Sequence, residues 1–193
     1  MNKKIHLGCG KRYLDGYIHV DIHPHSHVDF VSSIDKLDMF HDGCANIIYA
    51  SHCIEYFDRD EIIEVLIEWR RVLAPGGTLR LAVPNFKALT EVYKETNDLN
   101  KVLGPLYGKW NVGKKEFIYH KTVYDLESLS SLLKQVGFNQ IKEWDWKDTF
   151  INQPDFDDHS QAYYPHMDKE NGILISLNIE GTKPSITKNG NLK

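Results

Sequence analysis

The chain has 193 residues, 41% of them hydrophobic, which suits one globular domain large enough to bury a core. Its net charge of -4 supplies no general attraction for phosphate backbones, and Lys and Arg are scattered, which argues against DNA or RNA as partners. No apolar run approaches the roughly 20 residues that span a bilayer, and the three cysteines contain no Cys-x-x-Cys pair, which argues against membrane insertion, a disulfide framework and a zinc site. Because Met1-Asn2-Lys3-Lys4 runs straight into a strand with no room for a signal peptide, a cytoplasmic location is expected.

In chain order, strands are expected at about 4–7, 17–22, 28–31, 47–50, 78–83, 140–146 and 173–182. The first runs through Ile5-His6-Leu7 into Gly8-Cys9-Gly10, and the second ends at Val20-Asp21. Between them Lys11 to Gly16 is too short for a crossover helix, so the first helix is expected to shrink to a turn. Asp58, with Glu61 three residues on, caps a helix whose apolar face is Ile62, Ile63, Leu66, Trp69, Val72 and Leu73 and which Pro75-Gly76-Gly77 stops. Asp125 caps a second helix carrying Leu126, Leu129, Leu132, Leu133 and Val136 on one stripe before Gly137. Segments 85–124 and 152–171 read as inserts over a substrate pocket, within a single domain spanning 1–182, and 183–193 as a disordered tail.

Two close glycines at a strand end, followed by an acidic residue ending the next strand, describe a site for a nucleoside-containing cofactor. Tyr13 occupies the place of the third glycine of a dinucleotide fingerprint, which disfavours NAD and FAD, and no Walker lysine follows. His23, His25 and His27 alternate around Pro24 and share one side of an extended chain, but no fourth ligand accompanies them; they are expected to be loop residues, and no metal site is expected.

Leu7-Gly8-Cys9-Gly10 with Val20-Asp21 resembles the first two motifs of class I S-adenosylmethionine-dependent methyltransferases. The stretch Ile47 to Tyr56 resembles their fourth-strand motif, and Arg71-Val72-Leu73-Ala74-Pro75-Gly76-Gly77-Thr78-Leu79 their following helix, turn and fifth strand. The resemblance implies an α/β fold, a Rossmann-like seven-stranded mostly parallel sheet with an antiparallel last strand and helices on both faces. It also implies S-adenosyl-L-methionine at the carboxyl ends of the first strands. Leu7, Gly8, Cys9 and Gly10 would form the cofactor turn, with Cys9 a small buried filler. Asp21 would accept the ribose hydroxyls beside Ile22, and Lys11 or Arg12 would meet the methionine carboxylate in place of the missing helix.

Around the adenine the family often has an acid; here Ser33 stands there, so Ile34, Asp35 or the backbone near Leu37 is expected to share the role. Ser51 and His52 would lie close to the transferred methyl. Glu55 matches the acid of that motif, whereas Tyr56 replaces a common histidine. His120 falls where relatives often put a substrate-facing histidine and has the near-neutral pKa of a general base. Methyl transfer needs no protein nucleophile, only alignment and a base. The Asn/Asp-Pro-Pro-Tyr motif of many amino-group methyltransferases is absent, which tilts the acceptor toward oxygen. The opening Leu7 to Arg12 and the segment Ser160-Gln161-Ala162-Tyr163 are similar to compact relatives of bacterial surface-polysaccharide pathways, which suggests a small carbohydrate-derived acceptor. Asp157, Asp158, His159, Tyr163, Tyr164, His166 and Asp168 mix rings and polar groups as a sugar site would; a solvated acidic loop has the same composition. A cofactor-binding scaffolding or regulatory subunit, and more remotely an NAD-dependent reductase, are the competing readings.

Overall fold

A computed structural model describes residues 3–113 and 116–185. Its centre is one sheet built from β1 (Lys3–Leu7), β2 (Ile18–Asp21), β3 (Phe30–Val31), β4 (Ala45–Ser51), β5 (Leu73–Pro84), β8 (Asn139–Glu143) and β11 (Ser176–Thr182) in the spatial order β3-β2-β1-β4-β5-β11-β8. The first five strands run parallel; β11 is antiparallel to both of its neighbours, as the methyltransferase resemblance implies. Two short ribbons lie outside it, β6 (Trp110–Gly113) with β7 (Glu116–Ile118), and β9 (Tyr163–Tyr164) with β10 (Ile173–Leu174). The helices are α1 (Glu61–Val72), α2 (Phe86–Thr96), α3 (Asn100–Tyr107), α4 (Leu126–Gln135) and the single turn α5 (Trp146–Thr149).

The strand limits move where turn chemistry competes with apolar pattern. β5 begins at Leu73, because Ala45 pairs with Leu73 and Ile47 with Thr78: Pro75-Gly76-Gly77, read as a stop, bulges out of the strand instead. Gly77 has to be small there, since a Cβ would lie 2.8 Å from the Ala74 carbonyl oxygen. The strand expected at 140–146 ends at Glu143, and Trp146 opens α5 with Asp145 accepting from the Lys147 N–H. The strand expected over 173–182 divides at Ile175 into β10 and β11.

Capping follows the sequence closely. Asp58 Oδ1 accepts from the N–H groups of Asp60 and Glu61 while Glu61 Oε2 accepts from the Asp58 N–H, a reciprocal box at the head of α1. At α4, Asp125 Oδ1 and the Ser128 hydroxyl and N–H form the same arrangement. Leu126, placed on the apolar stripe by spacing, is 44% exposed, and Leu129 and Leu133 carry the buried face of α4. Lys183, counted with the tail, is fastened: its N–H reaches Gly77 O and its ammonium satisfies the last carbonyls of α1 at Arg70 and Leu73, 2.8 and 2.6 Å away. Residues 186–193 lie outside the described residues.

The two faces of the sheet are covered unequally. Alternation along β1 and β4 sends Ile5, Leu7, Ile48 and Ala50 to one side, where Ile62, Leu66 and Trp69 of α1 and Leu129 and Leu133 of α4 meet them in the main core. His6 and Tyr49 face the other side. There no helix joins β1 to β2, and the cover is α5 with irregular chain carrying Trp144, Phe150 and Phe156, closed by Leu14. Arg80 of β5 and Glu180 of β11, directly opposite in register, are joined by a two-pronged ion pair at 2.7 and 2.9 Å. Among the described residues no helix is long and apolar enough to cross a membrane.

Candidate functional site

One large cavity, about 930 Å³, opens at the carboxyl ends of β1, β2 and β4 and is roofed by α3, the β6–β7 ribbon and the segment 157–167. That volume is at the upper end of the roughly 300–1,000 Å³ typical of small-molecule sites, room for more than one ligand.

On the β1–β2 side the chain turns sharply through two left-handed glycines, Gly8 at φ +61° and Gly10 at φ +55°. Gly8 donates to Val20 O at 2.8 Å, and a Cβ on it would strike Cys53 Sγ. Gly10 faces the cavity, where an added Cβ would meet only the Trp110 ring at 3.8 Å. Its N–H donates to Asp21 Oδ2 at 2.8 Å, and the His23 N–H donates to Oδ1 at 2.8 Å. The Asp21 carboxylate is thereby held rigidly, with one lone pair of each oxygen unused and the residue on the cavity wall. Cys9 is buried at the cavity wall, its thiol pushed up to about 12 by burial and by the Asp21 charge.

Arg12 also lines the cavity, its Nε–H bound to the Asp157 carbonyl at 3.1 Å and its two terminal nitrogens left for a ligand, whereas Lys11 is exposed outside the lining. Ile22, Ser33 and Ile34 form the wall beyond Asp21. Asp35 and Leu37 do not reach it: Leu37 is completely buried in the main core, and its N–H donates to Glu68 Oε1 at 3.0 Å, fixing the loop to α1. Leu7 likewise points into the core. The His23, His25 and His27 rings form a loose stack, 6.1 and 6.0 Å between successive centroids, and among the described residues no group of His, Cys, Asp or Glu is arranged to hold a metal ion.

The floor is built at the end of β4. Ser51 and His52 line it, and His52 takes a left-handed backbone, φ +52°, while its N–H donates to Ala82 O at 2.8 Å. Burial holds the His52 imidazole well below its ordinary pKa. His120, sixty-odd residues away in sequence, comes in beside it from the end of the β6–β7 ribbon; its Nδ1 lies 3.0 Å from the Pro105 carbonyl and its ring packs edge-on against Tyr56 and against Gly108. Burial lowers the His120 pKa too, so the ring is neutral at pH 7.

Of the acidic and aromatic cluster expected near a sugar, Asp157, Asp158, His159, Tyr163 and His166 line the cavity; Tyr164 and Asp168 do not. Tyr164 is taken up by the β9–β10 ribbon, and Asp168 accepts from the Asn171 N–H in a turn. Asp158 is mainly an anchor: it accepts from Tyr49 Oη and from the N–H and hydroxyl of Ser160, pinning the insert to β4.

His6 and Trp110 are among the cavity residues that the motifs did not single out. His6, buried with its pKa lowered to about 3 by burial, faces the cavity; the apolar pair Ile5 and Leu7 on either side of it was the available signal that it points away from the core. Trp110 comes from an insert whose sequence has no periodicity to read.

The family described as "Methyltransferase domain" matches residues 7–81, the stretch holding the glycine turn, Asp21, the β4 floor and the first half of β5. Over that stretch the chain is similar to methyltransferase domains. Solved methyltransferase structures agree in fold. One from Thermotoga maritima, described as a possible histamine N-methyltransferase, aligns over 95% of this chain and 83% of its own at 17% identity and a TM-score of 0.57. An S-adenosylmethionine-dependent methyltransferase from Methanosarcina mazei aligns over 94% and 92% at 16% identity and a TM-score of 0.56. The 1,6-didemethyltoxoflavin-N1-methyltransferase of Burkholderia thailandensis, solved with S-adenosylhomocysteine, aligns over 93% and 70% at 12% identity and a TM-score of 0.54. A comparison with proteins of curated function gives no match. S-adenosylmethionine, the cofactor of the methyltransferases this chain resembles, suits the residues present: a glycine turn open where a side chain would intrude, and a rigid carboxylate with two lone pairs to spare beside it.

Proposed function

We propose that this methyltransferase methylates an oxygen of a small polar acceptor, with His120 as the general base. The observation that carries this reading is the fixed tautomer of His120. A carbonyl only accepts, so the contact with Pro105 requires hydrogen on Nδ1 and leaves a lone pair on Nε2 as the proton acceptor of a residue that lines the cavity. Bound S-adenosylmethionine supplies an electrophilic methyl on sulfur. Asp21, with Gly8 and Gly10, holds the nucleoside; Arg12 meets the carboxylate of the methionine part; Ile22, Ser33 and Ile34 flank the base; Ser51 and His52 support the acceptor side.

The acceptor class we propose is carbohydrate-derived: a sugar, a sugar nucleotide or a glycan-linked phosphoryl group. The rings of Trp110 and Tyr163 offer stacking faces, and His159, His166 and Asp157 offer hydrogen bonds around the same space. The Thermotoga and Burkholderia neighbours are named for methylation at nitrogen, and at 17% and 12% identity they speak for the fold alone.

Calorimetry with S-adenosylmethionine and S-adenosylhomocysteine, on the wild type and Asp21→Ala, tests the cofactor half. An acceptor screen starting with sugar nucleotides, using His120→Ala as control, tests the rest. We expect micromolar cofactor binding lost with Asp21, and turnover lost with His120 while cofactor binding persists. Full activity of His120→Ala on an identified acceptor overturns the base assignment. Binding with no turnover on any acceptor favours a regulatory subunit of the same fold.

A further inference from the structure

Glu55 lies in the 3-10 turn after β4, completely buried, and neither carboxyl oxygen has a hydrogen-bond partner. Its Oε1 faces two imidazoles, His52 Nδ1 at 3.6 Å and His120 Nε2 at 3.8 Å. The hydrogen positions on both rings follow from groups whose roles are fixed. Pro105 places the His120 hydrogen on Nδ1. For His52 the chain of reasoning starts at the Ser160 carbonyl, which takes the Asn178 amide N–H at 2.9 Å and so turns Asn178 Oδ1 toward Ser176. The Ser176 hydroxyl donates to that oxygen at 3.0 Å, which leaves Oγ to accept from His52 Nε2 at 3.3 Å. His52 therefore carries its hydrogen on Nε2. In both neutral rings the nitrogen nearest the Glu55 carboxyl group is the one without a hydrogen.

A carboxylate between two lone pairs would be repelled by both, whereas a carboxylic acid has one O–H to give. Burial works in the same direction, raising Glu55 to about 8. The other groups around it do not relieve it: Cys53 and Tyr56 on its own segment and Tyr124 from the strap before α4 are neutral and themselves raised by burial, and the Tyr124 hydroxyl is also without a partner. His159 touches His52 rather than Glu55, and the Lys121 ammonium is committed to Glu61 at 2.7 Å. The backbone is fastened here, with Glu55 O accepting from the N–H groups of Lys121 and Thr122, so the carboxyl and His120 keep their register.

We propose that Glu55 is a positioning residue that carries a single buried proton between His52 and His120 and thereby decides which of the two rings is free to act as base. The inference rests on the reading of His120 as the base. At 3.6 and 3.8 Å neither contact is a formed hydrogen bond; each closes only when the carboxyl turns to that ring. With the O–H turned to His52, the Nε2 lone pair of His120 is free. The acceptor O–H bond then breaks as its oxygen forms the new bond to the methyl carbon, while the carbon–sulfur bond of the sulfonium donor breaks and its electron pair goes to sulfur; the electron pair of the O–H bond stays on oxygen and the proton goes to Nε2. Glu55 keeps its own proton throughout, and the imidazolium returns its proton to water through the cavity.

Two variants and two readouts test this. Glu55→Gln keeps a permanent N–H donor that cannot ionise; Glu55→Leu has similar size and no donor. Nitrogen-15 NMR of the labelled full chain should show His120 as the Nδ1–H and His52 as the Nε2–H tautomer at pH 7. Both rings should shift together near pH 8 in the wild type, and that step should be missing from Glu55→Gln. On an identified acceptor at pH 7, Glu55→Gln should stay within about threefold of wild-type kcat, and Glu55→Leu should fall by about tenfold or more with cofactor affinity held. Wild-type rings that do not move between pH 7 and 9, or equal losses in the Gln and Leu variants, overturn the proposal. The NMR step needs no acceptor, so its presence in a protein without turnover would sink the base assignment alone.

Discussion

Replacing Glu55 by glutamine should make the protein more stable, by an amount that grows with pH. The carboxyl titrates at 4.5 in the unfolded chain and at about 8 in the fold, because it is fully buried with no partner. The folded state therefore holds the proton longer. Stability from this group is complete below pH 4.5, falls as pH rises, and levels off above about 8, with a slope of roughly 1.4 kcal/mol per pH unit in between. By pH 7 the wild type has lost about 3 kcal/mol, and by pH 8 about 4 kcal/mol, relative to a chain with a neutral group at this position. His6 acts in the opposite sense. Its pKa is lowered from 6.5 to about 3, so its contribution is lost as pH falls through that window. Between pH 4.5 and 6.5 the two slopes oppose each other, and the wild-type curve alone hides both. The difference between wild type and Glu55→Gln isolates one of them. Urea unfolding followed by the fluorescence of the four tryptophans, at half-unit steps from pH 5 to 8.5, measures it. A difference that stays constant over that range would mean that Glu55 ionises as freely in the fold as in water, and the account of the buried carboxyl would be wrong.

Three further substitutions probe the framework of the site. Asp21→Asn removes a charge that anchors two backbone N–H groups, and S-adenosylhomocysteine affinity measured by calorimetry should drop by about 10- to 100-fold, the equivalent of one charge-assisted hydrogen bond. Gly8→Ala forces a Cβ into Cys53 Sγ at a left-handed backbone and should destabilise by about 2–5 kcal/mol in thermal melts; adding Cys53→Ala should restore the packing share and leave the backbone strain, so an additive double variant refutes the contact. Tyr49→Phe leaves the buried Asp158 carboxylate with Ser160 alone and should lower the urea midpoint by the equivalent of about 1.5–3 kcal/mol; an unchanged midpoint would show that the insert is held without this anchor.

What could be read from the sequence was whatever is encoded within a few residues. The reciprocal caps at Asp58 and Asp125, the glycine turn and the acid ending β2 are local arrangements, and each sits where the spacing puts it. Strand ends were less legible, because Leu73 to Gly77 carries both a helix stop and a strand start, and the pairing with Ala45 and Ile47 decides between them. Asp35 and Leu37 were named by analogy with an adenine wall; the loop after β3 is instead drawn down to α1 by Glu68 and Arg71, with Arg71 donating to the carbonyls of Leu37 and Phe40. The histidine pair on the floor was visible as two separate residues. Its organising acid was visible as a motif letter without a role, since the distances from Oε1 to two rings set by Pro105 and by Ser176 are properties of the assembled fold.

The missing helix between β1 and β2 explains how the two halves of the site come to depend on each other. That face of the sheet still has to be covered, and the distant segment around Phe150 and Phe156 covers it, packing on Tyr49 with Leu14 at its edge. The same segment ties itself to the shortened connection: Gln153 Oε1 accepts from the Asp15 N–H at 3.1 Å, and the Asp157 carbonyl takes the Arg12 Nε–H. It then continues directly into Asp158 and His159 on the cavity wall. In an arrangement with a full crossover helix, the cofactor loop and the acceptor cover would be separate layers. Here Arg12, which we propose meets the methionine carboxylate, is oriented by the backbone of the segment that roofs the cavity, so on that proposal a substitution that loosens 150–157 should disturb cofactor affinity and acceptor recognition together.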